Sequence, residues 1–268
     1  MRRVGLIGCG TIGSALAVSL KQSFAHAARL TAIHDTDAAA AAELKRRLRI
    51  SAPVVSLAEL IRKSDLILEA ASSAIVPELI ERCLRANRDL LVLSVGGLLL
   101  KDAWRKKIRR SKSRVYIPSG ALAGLDGIKA MAIGRLSQAT LTSRKPPKAF
   151  QSVPYMQQRG FGLDQLTHPL IVFEGSPKEV VKLFPQNTNV AGVLALACGL
   201  PNDQIRIRVV ADPTLKHNRH ELDVEGDCGR IRCEIESKPS QNPKTSELAV
   251  RSAIATLHRI FDNIQIGT

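Results

Sequence analysis

Aromatic residues are scarce in this 268-residue chain: one Trp, two Tyr and six Phe, 3% of the total. With 45% hydrophobic residues overall, its core must be built from Leu, Ile, Val and Ala, as parallel-sheet cores usually are. Long apolar runs are missing too. No stretch reaches the roughly eighteen uncharged apolar residues that a membrane-spanning helix needs, so no membrane association is expected. An apolar strand begins almost at once, at Val4-Gly5-Leu6-Ile7, which leaves no room for a signal peptide. The five cysteines (Cys9, Cys83, Cys198, Cys228, Cys233) form an odd, scattered set without CxxC spacing. They read as small core residues in a reducing cytoplasm, not as a disulfide framework or a metal site.

Acidic residues are also in deficit, 24 against 39 Lys and Arg, for a formal charge of +15. Seven of the ten residues from Arg105 to Arg114 are basic. Only Trp104 and Tyr116 lie nearby, so the run lacks the aromatic interleaving that stacks nucleic-acid bases. It reads as a solvated helix face, and no nucleic-acid partner is expected. The same positive field suits small anionic substrates and cofactor phosphates.

The first 118 residues alternate short apolar runs with helical patterns, the grammar of a parallel α/β sheet. Strands are expected at Val4–Ile7, Leu30–His34, Leu66–Ala70, Leu90–Val95 and Val115–Ile117. Ser56-Leu57-Ala58-Glu59 has the form of a capping box, and Pro77 suits a first helical turn. After Pro118 the pattern changes. A glycine-rich stretch (Gly120, Gly124, Gly127) suits a loop or helix start, and residues 139–169 read as a long, partly mobile connection. Ser176-Pro177-Lys178-Glu179 is a second capping box, and Asn187-Thr188 can cap a helix stopped by Gly199. Three period-two strands follow, around Ile205–Val209, Leu222–Val224 and Ile231–Ile235, with Gly226–Gly229 as a hairpin turn. They form an antiparallel sheet, greasy on one face and wet on the other. Helical spacing returns at Val250, Ala253, Ile254, Leu257 and Ile260. The expected domains are 1–118, 119–241, and a C-terminal helix, 242–268, packing back on the first.

Gly8-Cys9-Gly10-Thr11-Ile12-Gly13 is a GxGxxG between a strand and a helix, and Asp35 ends the next strand. Gly8 permits a tight turn, Gly10 lets the backbone approach a pyrophosphate, and Gly13 lets helix and strand pack closely. The helix start, Thr11 and Ile12 included, offers N–H groups and a positive dipole end to phosphates. This is a Rossmann fingerprint for NAD(P). Asp35 accepts from ribose hydroxyls and repels a 2′-phosphate, and Thr36-Asp37 supply no arginine to receive one. NAD is therefore favoured, with NADP possible; for Asp35 a plain helix N-cap is the competing role.

Four further segments carry a family resemblance: Ser119-Gly120-Ala121-Leu122-Ala123-Gly124-Leu125-Asp126, Phe184 to Ala191, Asp212-Pro213 with Asn218-Arg219-His220-Glu221, and Asn242 to Ser246. They are similar to signature segments of L-aspartate dehydrogenases, in order and over essentially the whole chain. The resemblance implies an α/β protein, a Rossmann domain followed by an α+β catalytic domain with a mainly antiparallel sheet. It implies oxidation of L-aspartate to iminoaspartate with NAD or NADP, feeding NAD biosynthesis, by a homodimer. It also implies His220 as the active-site residue and Ala123 and Asn189 as NAD contacts; for Asn189 a helix cap competes.

The chemistry asks for such parts independently. Oxidising an amine sends a hydride to the nicotinamide and a proton to a base, and histidine titrates near neutrality without special tuning. The two substrate carboxylates need cations, for which Lys129, Arg219 and Lys244 are candidates, each competing with a solvated-surface role. Another two-domain dehydrogenase, homoserine-dehydrogenase-like or dihydrodipicolinate-reductase-like, is the alternative enzyme. A non-catalytic NAD-binding regulator is the alternative of another class, and no DNA-binding module supports it.

Overall fold

The structure, a computed structural model, describes all residues except 152, 185–188, 243–244 and 268. The chain divides into two units, Met1–Pro118 with Val250–Gln265, and Ser119–Ala249 with the last three residues. In chain order the first carries β1 (Arg2–Ile7), α1 (Thr11–Gln22), β2 (Ala28–His34), α2 (Ala38–Leu48), α3 (Leu57–Lys63), β3 (Leu66–Glu69), α4 (Val76–Arg85), β4 (Asp89–Val92), α5 (Gly96–Leu100), α6 (Ala103–Ile108) and β5 (Val115–Tyr116). The second carries α7 (Leu125–Met131), β6 (Leu136–Lys145), α8 (Pro154–Arg159), β7 (Leu170–Gly175), α9 (Pro177–Leu183), α10 (Asn189–Cys198), β8 (Ile205–Ala211), β9 (Asn218–Gly226) and β10 (Gly229–Ser237); α11 (Glu247–Phe261) closes the chain.

The first sheet runs β2-β1-β3-β4-β5, parallel throughout. All five expected strands are present, because each is a short apolar run flanked by a helix with a readable start. Leu6, Ile33, Leu66, Leu68 and Leu91 are fully buried, the two-sided burial that makes parallel strands read as continuous apolar runs. From α11, Ala253 and Leu257 join the core cluster of Leu16, Leu20 and Phe24, and Phe24 meets Phe261 at 5.3 Å between ring centres. A fully buried Leu contributes about 1.5–3 kcal/mol, so α11 is part of this core despite its place in sequence. The Ser56 hydroxyl accepts the Glu59 N–H, but Glu59 turns to Lys63 at 2.9 Å. That box is half formed.

The second sheet runs β10-β9-β6-β8-β7, with β6 and β8 parallel and the remaining pairs antiparallel. Here the sequence reading needs a correction. Residues 139–169 are not one long connection: their first seven belong to β6, the central strand, and β7 follows at Leu170. Ser, Thr, Gln, Arg and Lys fill β6, and its buried face carries Ser143 and Lys145 beside Ala139 and Leu141. Polar groups at core positions erased the alternation. Ser176 forms the full reciprocal box at α9, and Gly199, at φ +65°, stops α10. The expected Asn187-Thr188 cap lies outside the described residues.

Candidate active site

In strand order 2-1-3-4-5 the crossovers diverge between β1 and β3, and ligands of such sheets bind beyond the strand carboxyl ends there. Gly8 leaves β1 at φ +91°, and a Cβ on it would lie 2.4 Å from the Ala70 carbonyl oxygen. A Cβ on Gly13 would lie 1.9 Å from the Gly8 carbonyl oxygen. Neither position admits a side chain unless the backbone around it shifts. Gly10 differs, since a Cβ there meets nothing within 4 Å. It is the N-cap of α1, no side chain caps that helix, and the first turn, with Thr11 and Ile12, holds no acid. An open backbone approach under a bare helix N-terminus fits a pyrophosphate.

Asp35 stands just past β2. One carboxylate oxygen accepts the Cys9 N–H at 2.6 Å and the other the Asp37 N–H at 2.9 Å. Asp37, not Asp35, caps α2, accepting from Ala39 and Ala40. Asp35 therefore ties the glycine loop to the end of β2, and each oxygen keeps a lone pair for a ribose hydroxyl. Burial and the neighbouring Asp35 push the Cys9 thiol up to about 12, so it stays a neutral packing group.

Glu69, absent from the sequence reading, ends β3 with no solvent exposure. Its carboxylate accepts the N–H of Ala71, Leu93 and Ser94 and the Ser94 hydroxyl, all at 2.8–3.1 Å. Burial raises its pKa against those bonds. It ties together the loops that follow β3 and β4. An acid closing the apolar run Leu66-Ile67-Leu68 was the available signal.

In the second unit His220 lies inside β9, 4% exposed, opposite Ser143 of β6. Its Nδ1 and the Ser143 hydroxyl are 3.0 Å apart. Two residues along β6, on the same face, Lys145 is 5% exposed. Ser143 and Lys145 line a cavity of about 10 Å³ with Val180, Phe184, Ile207 and Val209, room for about one water. Burial, aided by the Lys145 charge, pushes His220 down to about 3, and burial lowers Lys145 to about 8. The expectation that His220 titrates near neutrality is thereby corrected: the imidazole is desolvated beside a cation and stays neutral. Neither Ser143 nor Lys145 was singled out in the sequence, because their segment read as a connection.

Ala123 is exposed in the loop before α7, and Asn189 is the half-buried first residue of α10. Lys129 pairs with Asp126 at 3.5 Å on α7. Arg219 stands apart from His220. One residue from His220 on a strand, it projects from the opposite face and meets Glu234 at 3.4 Å and Glu236 at 3.6 Å, so it is not brought to His220. Lys244 lies outside the described residues. Among the described residues no group of His, Cys, Asp and Glu suits a metal ion, and no helix is long and apolar enough to cross a membrane.

Comparison with known proteins bears on both units. Residues 126–260 match the family described as aspartate dehydrogenase, C-terminal, and residues 8–118 the homoserine dehydrogenase NAD binding domain. An L-aspartate dehydrogenase of Methanosarcina barkeri is 37% identical over all of both chains. L-aspartate dehydrogenase 3 of Bordetella bronchiseptica is 37% identical, covering 99% of this chain and 97% of its own. A crystal structure of aspartate dehydrogenase from Thermotoga maritima superposes with a TM-score of 0.72 at 25% identity, covering both chains fully.

Proposed function

This chain belongs to the L-aspartate dehydrogenase family, an oxidoreductase with a nicotinamide-binding domain, and we propose that it oxidises L-aspartate to iminoaspartate with His220 as acid/base. The observation that carries the reading is the polar cluster His220–Ser143–Lys145, buried on one face of the second sheet. Burying polar groups and a lysine in this way costs stability, and proteins carry such costs mainly at functional sites.

The bound dinucleotide supplies the acceptor for the hydride that leaves Cα. Gly8, Gly10 and Gly13, with the start of α1 at Thr11 and Ile12, hold its pyrophosphate. Asp35 takes the ribose hydroxyls and disfavours a 2′-phosphate, so NAD is preferred over NADP. Ala123 and Asn189 contribute further cofactor contacts. On the substrate side, a neutral imidazole is the form that accepts a proton from the ammonium group. Lys129 and Lys244 are the proposed partners of the carboxylates. The family resemblance further supports a cytoplasmic homodimer that supplies iminoaspartate, which hydrolyses to oxaloacetate and ammonia, to NAD biosynthesis.

The test is NADH formation with a panel of L-aspartate, L-glutamate, L-alanine and L-malate. Aspartate should be preferred, because a missing carboxylate leaves a partner unpaired at about 1–3 kcal/mol. Equal turnover of alanine and aspartate would overturn the substrate assignment.

A further inference from the structure

We propose that Lys145 is the group on which the substrate's proton comes to rest, reached through His220 and the Ser143 hydroxyl. This rests on the assignment of His220 as the residue that meets the substrate amine.

Strand geometry makes the arrangement. Ser143 and Lys145 are two apart on β6 and so share a face, and His220 of β9 is in register with Ser143. The His220–Ser143 bond of 3.0 Å is the first link. The second is the small cavity of about 10 Å³ that Ser143 and Lys145 both line, room for about one bridging water. The other lining residues, from α9, α10 and β8, are apolar: Val180, Phe184, Val190, Ala191, Ile207 and Val209. Among the described residues that line it, Lys145 is thus the one charged group. Beyond it, Asp212 donates its N–H to the Lys145 carbonyl oxygen at 2.9 Å. The Asp212 carboxylate accepts from Thr214 and lies 3.8 Å from Arg144. Glu221 binds Arg144 on the opposite face.

His220 alone is a poor resting place for a proton. Its burial and the Lys145 charge hold it down to about 3, whereas Lys145, lowered by burial to about 8, is poised to accept. The step balances as follows. An ammonium N–H bond breaks and its proton joins His220 Nε2, while Nδ1–H passes to Ser143 and the relay delivers a proton to the neutral amine of Lys145. The substrate nitrogen's freed pair forms the C=N bond as the Cα–H pair leaves to the oxidised dinucleotide. Lys145 acts through His220, and it is a positioning residue in the proton path.

Two measurements on the full-length protein test this. In the first, the Lys145 side chain is titrated by NMR in the cofactor-free wild type, assigned with K145M. In the second, single-turnover hydride transfer with L-aspartate is followed against pH in wild type, K145M and K145R. Lys145 should titrate near pH 8. The wild-type rate should rise with pH through that value, and both variants should lose that limb with a rate roughly 10²–10⁴-fold lower. K145R separates proton acceptance from electrostatics, since it keeps the charge but cannot give up its proton. A variant retaining the wild-type limb, or a wild-type Lys145 titrating above pH 10, overturns the proposal, the second even if the variants fail to fold. Wild type inactive on L-aspartate instead overturns the substrate assignment, while the titration still decides the state of Lys145.

Discussion

Replacing Gly13 by alanine should unsettle the fold of the first unit, whereas replacing Gly10 should leave the fold intact and weaken dinucleotide binding. At Gly13 the new methyl would sit 1.9 Å from the Gly8 carbonyl oxygen, and ordinary contact begins near 3.4 Å. The obstruction is backbone, so α1 must retreat from the glycine loop by about 1.5 Å. Overpacking of that kind costs about 1–3 kcal/mol, and alanine's better helix propensity offsets up to about 1 kcal/mol. A net loss of about 2 kcal/mol lowers the melting temperature of a unit this size by roughly 5–10 °C. At Gly10 the methyl meets nothing, φ is −69°, and an alanine N-cap costs within about 1 kcal/mol. The methyl would nonetheless occupy the approach reserved for phosphate. NAD affinity should fall roughly 10–100-fold, equivalent to about 1.4–2.7 kcal/mol. Thermal melts beside calorimetric NAD titrations of both variants separate the two effects. Wild-type NAD affinity in Gly10→Ala refutes the phosphate cradle, and an unchanged melt in Gly13→Ala refutes the packing argument.

Four further outcomes follow from the geometry. Asp35→Ala should narrow the gap between NAD and NADP in kcat/KM, and a wild type that strongly prefers NADP would contradict the role given to that carboxylate. Unfolded lysine holds its proton to about 10.5 whereas Lys145 releases it near 8, so the unfolded state binds more protons between those values. Wild-type stability should therefore rise over that window by about 3 kcal/mol relative to Lys145→Met, read from urea melts at each pH. His220 is depressed from 6.5 to about 3, so its contribution is present above pH 6.5 and lost as pH falls towards 3; His220→Asn should flatten that acid limb. Arg219→Ala should leave the KM for L-aspartate within about threefold of wild type, because its guanidinium serves Glu234 and Glu236 on the far face and exposed pairs contribute about 1 kcal/mol or less.

Some of this molecule is written locally in its residues. The parallel sheet was legible because each strand is a short apolar run and the helices between them carry readable starts and stops. The glycine loop was legible because its requirement is local: Gly8 needs φ +91°, Gly13 must admit a carbonyl oxygen, and both lie within six residues. Asp35 could be placed at a strand end by counting. The hairpin at Gly226–Gly229 and the reciprocal cap at Ser176 are equally local, since the residues that make them are neighbours in the chain.

Tertiary structure decided what depends on distant partners. Strand β6 was invisible because Ser143 and Lys145 occupy core positions, and only pairing with β8 and β9 reveals them as a buried face. The ionisation of His220 was equally out of reach. An isolated histidine titrates near neutrality, but the surrounding sheet removes its water and Lys145, 75 residues away in sequence, sets a charge beside it. Alternation along β9 turns Arg219 away from its neighbour His220, a consequence of pleat and not of sequence distance. Glu69 shows the same limit: its four hydrogen bonds come from two loops that meet only when β3 and β4 lie side by side. Local sequence fixes backbone conformation, whereas burial and charge at a site are sums over everything the fold brings near it.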